Sequence, residues 1–133
     1  MIKIPKKVYD SMIQHAKAGY PNEACGILGG KASGEATEFF PMKNVDLSSI
    51  SYFMDPKEQL HVFKKMRESN VEMIGIFHSH VASEAYPSQK DIRLAFYQDA
   101  SYLIVSLSDS LKPLLKSFKI VDEIVKEEEI KIV

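Results

Sequence analysis

Residues 75–91 have the sequence GIFHSHVASEAYPSQKD, and the expected fold can be built outward from this segment. His78 and His80 follow an apolar run, and if they end a β-strand, the two-residue side-chain period places both imidazoles on one face. Ser88 is a favoured N-cap, so a helix is expected to begin there with Asp91 in its first turn. Two imidazoles and one carboxylate can hold a zinc ion and leave a position for water, which is typical of a catalytic rather than a structural site.

The composition is that of a globular domain. The 133 residues are 45% hydrophobic, which suits one compact domain and leaves little room for a second. Seventeen Lys and Arg against eighteen Asp and Glu give a net charge of -1, so no nucleic-acid partner is expected. One cysteine excludes an internal disulfide bond, residues 1–7 lack the apolar core of a signal peptide, and no run is long enough for a membrane span. A cytoplasmic location is therefore expected, with the oligomeric state left open.

The hydrophobic pattern predicts a mixture of helices and strands. Helices are predicted over residues 6–19, 55–69 and 88–98, from apolar stripes and cap residues. Strands are predicted over residues 23–30, 37–42, 51–54, 72–77, 101–107, 114–121 and 124–132, with turns at the Gly29-Gly30 pair and at 108–110. The acidic run within residues 126–129 would suit a solvated helix nearly as well. This order predicts an α/β or α+β sandwich over residues 1–133, with a mixed central sheet flanked by helices.

Glu23 is the expected general base. Burial of a carboxylate at the start of an otherwise apolar strand costs free energy unless the group is hydrogen-bonded or lies near a cation. Its position before a Gly-rich turn also suits the rim of an active site. Cys25 would share its face, which raises the alternative of a thiol nucleophile, although a lone cysteine is more commonly a buried, unreactive thiol. His15 and His61 stand alone on helical stretches and are not expected to be ligands.

Together these residues resemble the motif of the JAMM (MPN+) metalloprotease family. Glu23 is followed far downstream by His78-Ser79-His80, seven residues, Ser88, two residues and Asp91. The flanking segments are also similar to those of the compact bacterial and archaeal members; they are NEACGILGG at 22–30, YFMDP at 52–56 and PSQKD at 87–91. The resemblance therefore covers nearly the whole chain.

The resemblance implies a fold similar to that of the cytidine deaminases, which is a three-layer sandwich, and a zinc peptidase or isopeptidase activity. It implies one zinc ion per chain with His78, His80 and Asp91 as ligands. It further implies that Glu23 is the general acid/base and that the Ser88 hydroxyl helps to hold the oxyanion. Ser88 also has an ordinary role as a helix cap, and the two roles are compatible.

The resemblance also suggests a class of substrate. A chain this short has little length for the added segments with which relatives grip a second ubiquitin, so a narrow approach is expected, and a Gly-Gly tail fits such an approach. The expected reaction is hydrolysis of the amide bond after the C-terminal Gly of a ubiquitin-like or sulfur-carrier protein. One departure from the family pattern is Val81, where many relatives have proline, and it concerns the path of residues 81–86.

Two other classes of protein share parts of this pattern. A non-catalytic MPN-type scaffold could retain a zinc site, although such relatives lack motif residues and none is missing here. A deaminase of the same broad fold is nearly excluded, because those enzymes bind zinc through a Pro-Cys-x-x-Cys segment and this chain has one cysteine.

Overall fold

The computed structural model describes residues 1–109 and 111–133 and shows a mixed α+β fold. The elements, in chain order, are β1 (Ile2–Ile4), α1 (Lys6–Gly19), β2 (Cys25–Lys31), β3 (Glu35–Met42), α2 (Pro56–Glu68), β4 (Glu72–His80), α3 (Gln89–Arg93), β5 (Ser101–Ser106), β6 (Leu114–Val121), β7 (Ile124–Glu128) and β8 (Ile130–Ile132). The predicted fold class, a mixed central sheet flanked by helices, is confirmed. None of the described helices combines the length and apolar character that crossing a membrane requires.

The strands form one sheet in the order β7-β6-β5-β4-β2-β3-β1-β8. The pairs β4–β5, β1–β3 and β1–β8 are parallel, and the other neighbours are antiparallel. The two end strands of this order, β7 and β8, are consecutive in the chain with only Glu129 between them. Because β7 pairs with β6 while β8 pairs with β1, this last segment of the chain contributes a strand to each end of the sheet.

Helices pack on both faces of the sheet and give it three layers. Alternate side chains of a strand point to opposite faces, so Ile27 and Leu28 of β2 belong to two different buried clusters. The cluster with Leu28 includes the buried stripe of α1, and the cluster with Ile27 includes that of α2; the helical residues are Val8, Met12 and Ala16 in α1 and Val62 and Met66 in α2. Cys25 belongs to the α2 cluster, and His78 pairs directly opposite it, so the two histidines of β4 point to the α2 face.

The prediction of a strand over residues 51–54 is wrong. Residues 51–53 are irregular, and Met54 forms a single bridge, to Asn44. The Asn44 side chain takes two of the hydrogen bonds that a neighbouring strand would have made, because its amide donates to the carbonyl of Ser51 and accepts from the N–H of Phe53. Alternation of apolar residues does not reveal that a side chain, rather than a strand, is the partner.

The helix predicted over residues 88–98 is much shorter than expected. The helix α3 ends at Arg93, with Leu94 as its C-cap. Beyond that point the main chain leaves the helix, and the N–H of Tyr97 donates to the Tyr102 hydroxyl of β5 instead of an upstream carbonyl. The contact with the following strand has overridden a local pattern that favours helix.

The strand predicted to end at the glycine pair continues through it to Lys31. A side chain at Gly30 would overlap the carbonyl oxygen of Glu35 in β3, so glycine is needed there for close strand approach rather than for a turn. The turn lies beyond, where Gly34 has a φ of 96° that favours glycine.

Pairing across the sheet explains the remaining differences. The single strand predicted over residues 124–132 is interrupted at Glu129, where its partner changes from β6 to β1. The short strand β1 was not predicted, since three residues carry too little pattern. Of the turn predicted at 108–110, residue 110 lies outside the described part of the chain.

Candidate metal centre

Three side-chain atoms converge where β4 ends. The Nε2 atoms of His78 and His80 lie 3.0 Å apart, and each lies 3.1 Å from Oδ2 of Asp91. Both rings are buried, and among the described residues these three side chains form a group that could hold a metal ion. The structure therefore brings together the side chains that the sequence predicts as ligands.

The hydrogen bonding of His80 orients its ring toward the cluster. Its Nδ1 lies 2.8 Å from the carbonyl oxygen of Glu84, which can only accept, so Nδ1 carries a hydrogen. Its Nε2 then faces Nε2 of His78 and the carboxylate of Asp91. When His80 is neutral, Nε2 offers a lone pair, and two imidazole nitrogens and one carboxylate oxygen placed in this way can act as ligands of one positive ion.

The spacing also suits zinc. Ligands at about 2.05 Å in a tetrahedron lie about 3.3 Å from one another, and the observed separations are 3.0 to 3.1 Å. Two imidazole nitrogens and one carboxylate oxygen are a donor set that zinc accepts, and three protein ligands leave its fourth position open. The residues present thus fit the ion that the family resemblance implies.

Asp91 is held in place by a capping box at the start of α3. The Ser88 hydroxyl accepts from the N–H of Asp91 at 3.1 Å, and the N–H of Ser88 donates to Asp91 Oδ2 at 2.9 Å. Burial by itself would raise the pKa of Asp91, but the hydrogen bonds with His78 and His80 outweigh it and hold that pKa well below its usual range. The carboxylate is consequently ionised at neutral pH, as a ligand must be.

His78 differs from His80 in what surrounds its second nitrogen. Its Nδ1 is buried and has no hydrogen-bond partner among the described residues. The ring instead stacks on Tyr52, with centroids 4.6 Å apart and planes inclined by 26°. Burial lowers the pKa of His78, and the Asp91 carboxylate only partly opposes this, so the ring stays neutral and able to bind a metal.

Glu23 lies beside the cluster, two residues before the start of β2. Cys25 pairs with His78, and extending that antiparallel register by two residues brings Glu23 opposite His80, on the same face. The side chain is 6% exposed. Burial raises the pKa of Glu23 to about 7, with the charge of His80 opposing the shift and that of Asp91 adding to it. A carboxyl group with a pKa near neutrality can both accept and release a proton.

An apolar groove adjoins the cluster on one side. It has a volume of about 260 Å³ and ends at Asp91. The irregular segment at 51–54 forms one wall of the groove, and α3 with the residues that follow it forms the other. The large apolar residues exposed along these walls are Phe53, Leu94, Phe96 and Tyr97. A groove open to solvent beside a candidate catalytic centre is suited to an extended chain.

The other candidate residues lie outside the cluster. Cys25 is fully buried, and burial, with smaller effects from nearby carboxylates, raises the pKa of its thiol to about 12. His15 is half-buried in α1, with Nε2 2.9 Å from the carbonyl oxygen of Cys25, and His61 is exposed on α2. The structure therefore gives Cys25 the surroundings of an unreactive thiol.

Sequence reasoning missed two features of the site. Tyr52 was interpreted as an ordinary strand residue, and the groove residues after α3 were interpreted as helix. For Tyr52 a signal was present, since it opens the YFMDP segment that resembles the family. For the groove there was none, because its walls come from segments far apart in the chain.

A three-layer α+β fold with a His-His-Asp cluster beside a buried carboxylate defines a class of metal-site domains. The Prok-JAB family, described as prokaryotic homologs of the JAB domain, matches residues 5–121. The chain belongs to this family of compact prokaryotic JAMM/MPN proteins.

Individual relatives span most of the chain. A CysO-cysteine peptidase of Mycobacterium tuberculosis is 38% identical and covers 100% of this chain and 92% of its own length. A desampylase of Haloferax volcanii is 31% identical over 73% of this chain and 74% of its own length. The solution structure of protein DSY2949 from Desulfitobacterium hafniense is 46% identical, with a TM-score of 0.92 and coverage of 100% of this chain and 93% of that one.

Proposed function

We propose that residues 1–133 form one catalytic domain, a zinc-dependent peptidase or isopeptidase that hydrolyses the amide bond after the C-terminal Gly of a ubiquitin-like or sulfur-carrier protein. The observation that carries the proposal is the convergence of the His78, His80 and Asp91 ligand atoms beside Glu23, a buried carboxyl group with a pKa of about 7. The names of the relatives, a CysO-cysteine peptidase and a desampylase, support the class of substrate.

The chain's own residues divide the chemistry between them. His78, His80 and Asp91 would hold the zinc ion, which when bound supplies Lewis acidity toward the scissile carbonyl and the attacking water. Glu23 takes a proton from that water and later delivers it to the leaving amine. The peptide bond is thereby exchanged for a carboxylate and an amine, with no covalent bond to the enzyme.

Ser88 is the proposed oxyanion donor. Its oxygen already accepts from the N–H of Asp91, which leaves the hydroxyl hydrogen free to donate. A donor fixed in this way by a helix cap loses little entropy when the negative charge develops. The same residue would then serve as cap and as oxyanion donor.

The groove beside Asp91 supplies a path for the carrier's tail. Residues 51–53 belong to no strand of the sheet and line one wall of this groove, so a tail that lies along the groove can contact them. Residues without side chains let that tail lie close to the candidate ligands. We therefore expect a tail ending in Gly-Gly to be cleaved much faster than one ending in Ala-Ala.

The test is a panel of carrier proteins with C-terminal extensions, incubated with the enzyme and analysed by intact mass. Cleavage after the terminal Gly, abolished by chelator and restored by zinc, would support the proposal. Glu23→Gln should keep its zinc while turnover falls on the order of 10²-fold or more, and Glu38→Gln, at an exposed position of β3, is the control. Equal cleavage of Gly-Gly and Ala-Ala tails would point instead to a general peptidase.

A further inference from the structure

The two histidines of the candidate metal centre are held in different ways. The ring of His80 is oriented by the hydrogen bond from Nδ1 to the carbonyl of Glu84. A metal-binding histidine almost always has such a partner, because the last torsion of the side chain is otherwise soft. His78 has none among the described residues, although its Nδ1 is buried. Something else must fix the plane of that ring.

At His78, stacking on the ring of Tyr52 takes the place of the missing hydrogen bond. The two rings stack with centroids 4.6 Å apart and an inclination of 26°. Rotation of the imidazole about its last torsion would drive its edge into the phenol ring, so the stack restricts the direction in which Nε2 points. The contact with Tyr52 therefore acts on the orientation of the His78 ring plane.

Tyr52 is itself held by a buried amide. Asn44 donates to the carbonyl of Ser51 at 3.0 Å and accepts from the N–H of Phe53 at 3.1 Å, so it grips the main chain on both sides of Tyr52. The same amide donates to the main-chain carbonyl of Glu23 at 2.9 Å. Asn44 is 8% exposed, and its amide thus joins the segment carrying Tyr52 to the segment carrying the candidate base.

We propose that Tyr52 is a positioning residue of the metal centre, which sets the ring plane of His78 by stacking, and that Asn44 holds Tyr52 and Glu23 in register with each other. This inference rests on the proposed zinc site. It assigns the effect to the aromatic ring of Tyr52 and not to its hydroxyl group. It also makes one side chain, Asn44, responsible for the relative placement of a ligand and of the base.

The test measures zinc affinity in the full chain by competition with a chromophoric chelator. Tyr52→Phe keeps the ring and should bind zinc within about threefold of the unmodified protein, whereas Tyr52→Ala should bind about 10 to 100-fold more weakly, as for loss of other groups that orient a ligand. Tyr9→Ala, in a partly buried tyrosine of α1, controls for general loss of packing. The absorption spectrum of the cobalt-substituted protein should change in Tyr52→Ala and not in Tyr52→Phe.

Asn44→Ala tests whether Asn44 places both Tyr52 and Glu23. It should weaken zinc binding as Tyr52→Ala does. At saturating zinc it should also lower kcat, because the main chain at Glu23 loses its hydrogen bond to Asn44. Circular dichroism confirms that each variant is folded.

Two results would overturn the inference alone: a folded Tyr52→Ala that binds zinc as tightly as the unmodified protein, or a Tyr52→Phe that loses as much affinity as Tyr52→Ala. Failure of the proposed function looks different. In that case the unmodified protein and His78→Ala would bind zinc equally poorly, and both the zinc site and the positioning role of Tyr52 would be rejected.

Discussion

Removal of zinc should lower the thermal stability of the protein by an amount that can be worked out. The three candidate ligand atoms, Nε2 of His78, Nε2 of His80 and Oδ2 of Asp91, come from two separate parts of the chain and lie 3.0 to 3.1 Å from one another in the folded protein. Zinc binds only where these ligands are assembled, so it stabilises the folded state by mass action. At a free zinc concentration 100 times Kd, the gain is about 2.7 kcal/mol.

The corresponding change in melting temperature follows from the chain length. An unfolding entropy of about 2.1 cal/mol/K per residue over 133 residues gives about 0.28 kcal/mol/K. Division of 2.7 by 0.28 gives a fall of about 10 °C when the zinc is removed. Differential scanning calorimetry with and without EDTA measures this shift, and added zinc in excess of the chelator should reverse it.

Matched variants show whether the shift belongs to the proposed site. His78→Ala and Asp91→Ala should abolish the zinc-dependent shift, because a site with two remaining protein ligands binds zinc weakly. His61→Ala, which removes an exposed histidine of α2, should leave it unchanged. If the ligand variants retain the full shift, or if no divalent ion stabilises the unmodified protein, the assignment of the ligands is wrong.

Three further predictions concern single residues. Burial raises the pKa of Cys25 to about 12, so little thiolate forms at pH 8.5. Iodoacetamide should therefore label Cys25 only after the protein is unfolded in urea. Cys25→Ser should keep turnover within a few-fold of that of the unmodified protein. Ser88→Ala should lower kcat about 10²-fold while the protein retains its zinc. The control is Asp55→Ala, which removes the N-cap of α2. It should lower the free energy of unfolding by about 1 kcal/mol and leave kcat unchanged. Gly30→Ala should destabilise by about 3 kcal/mol in urea unfolding because its Cβ meets main-chain atoms, and Gly29→Ala, which meets only side chains, should cost less.

The parts of the site that could be predicted from sequence are those set by local rules. The period of a strand is two residues, and this alone places the rings of His78 and His80 on one face. The pairing of Ser88 with Asp91 follows equally from the geometry of a helix N-terminus, and the capping box is present. For these residues, a few neighbouring positions in the sequence are enough to determine where the side chains lie.

The parts that could not be predicted depend on contacts that no periodic pattern indicates. The segment around Tyr52 alternates like a strand, yet two of its main-chain hydrogen bonds go to the side chain of Asn44. Beyond the early end of α3, the N–H of Tyr97 donates to the hydroxyl of Tyr102, a side chain of the following strand. Whether a segment forms a helix or a strand was therefore mostly predictable from the sequence. The groove and the stacking of Tyr52 on His78 became visible only in the tertiary structure.

The position of the last segment, which supplies both end strands of the sheet, has a consequence for folding kinetics. Ile2 pairs with Ile130, so contacts between nearly the first and nearly the last residues complete the structure. Pairings of such high sequence separation form slowly, because loop closure must precede any gain from the contact. During synthesis the free edges of β1 and β6 stay unpaired until residues 124–132 have left the ribosome, and unpaired edges are sites of aggregation. Loss of these few residues would therefore reduce the yield of native protein far more than their limited burial suggests.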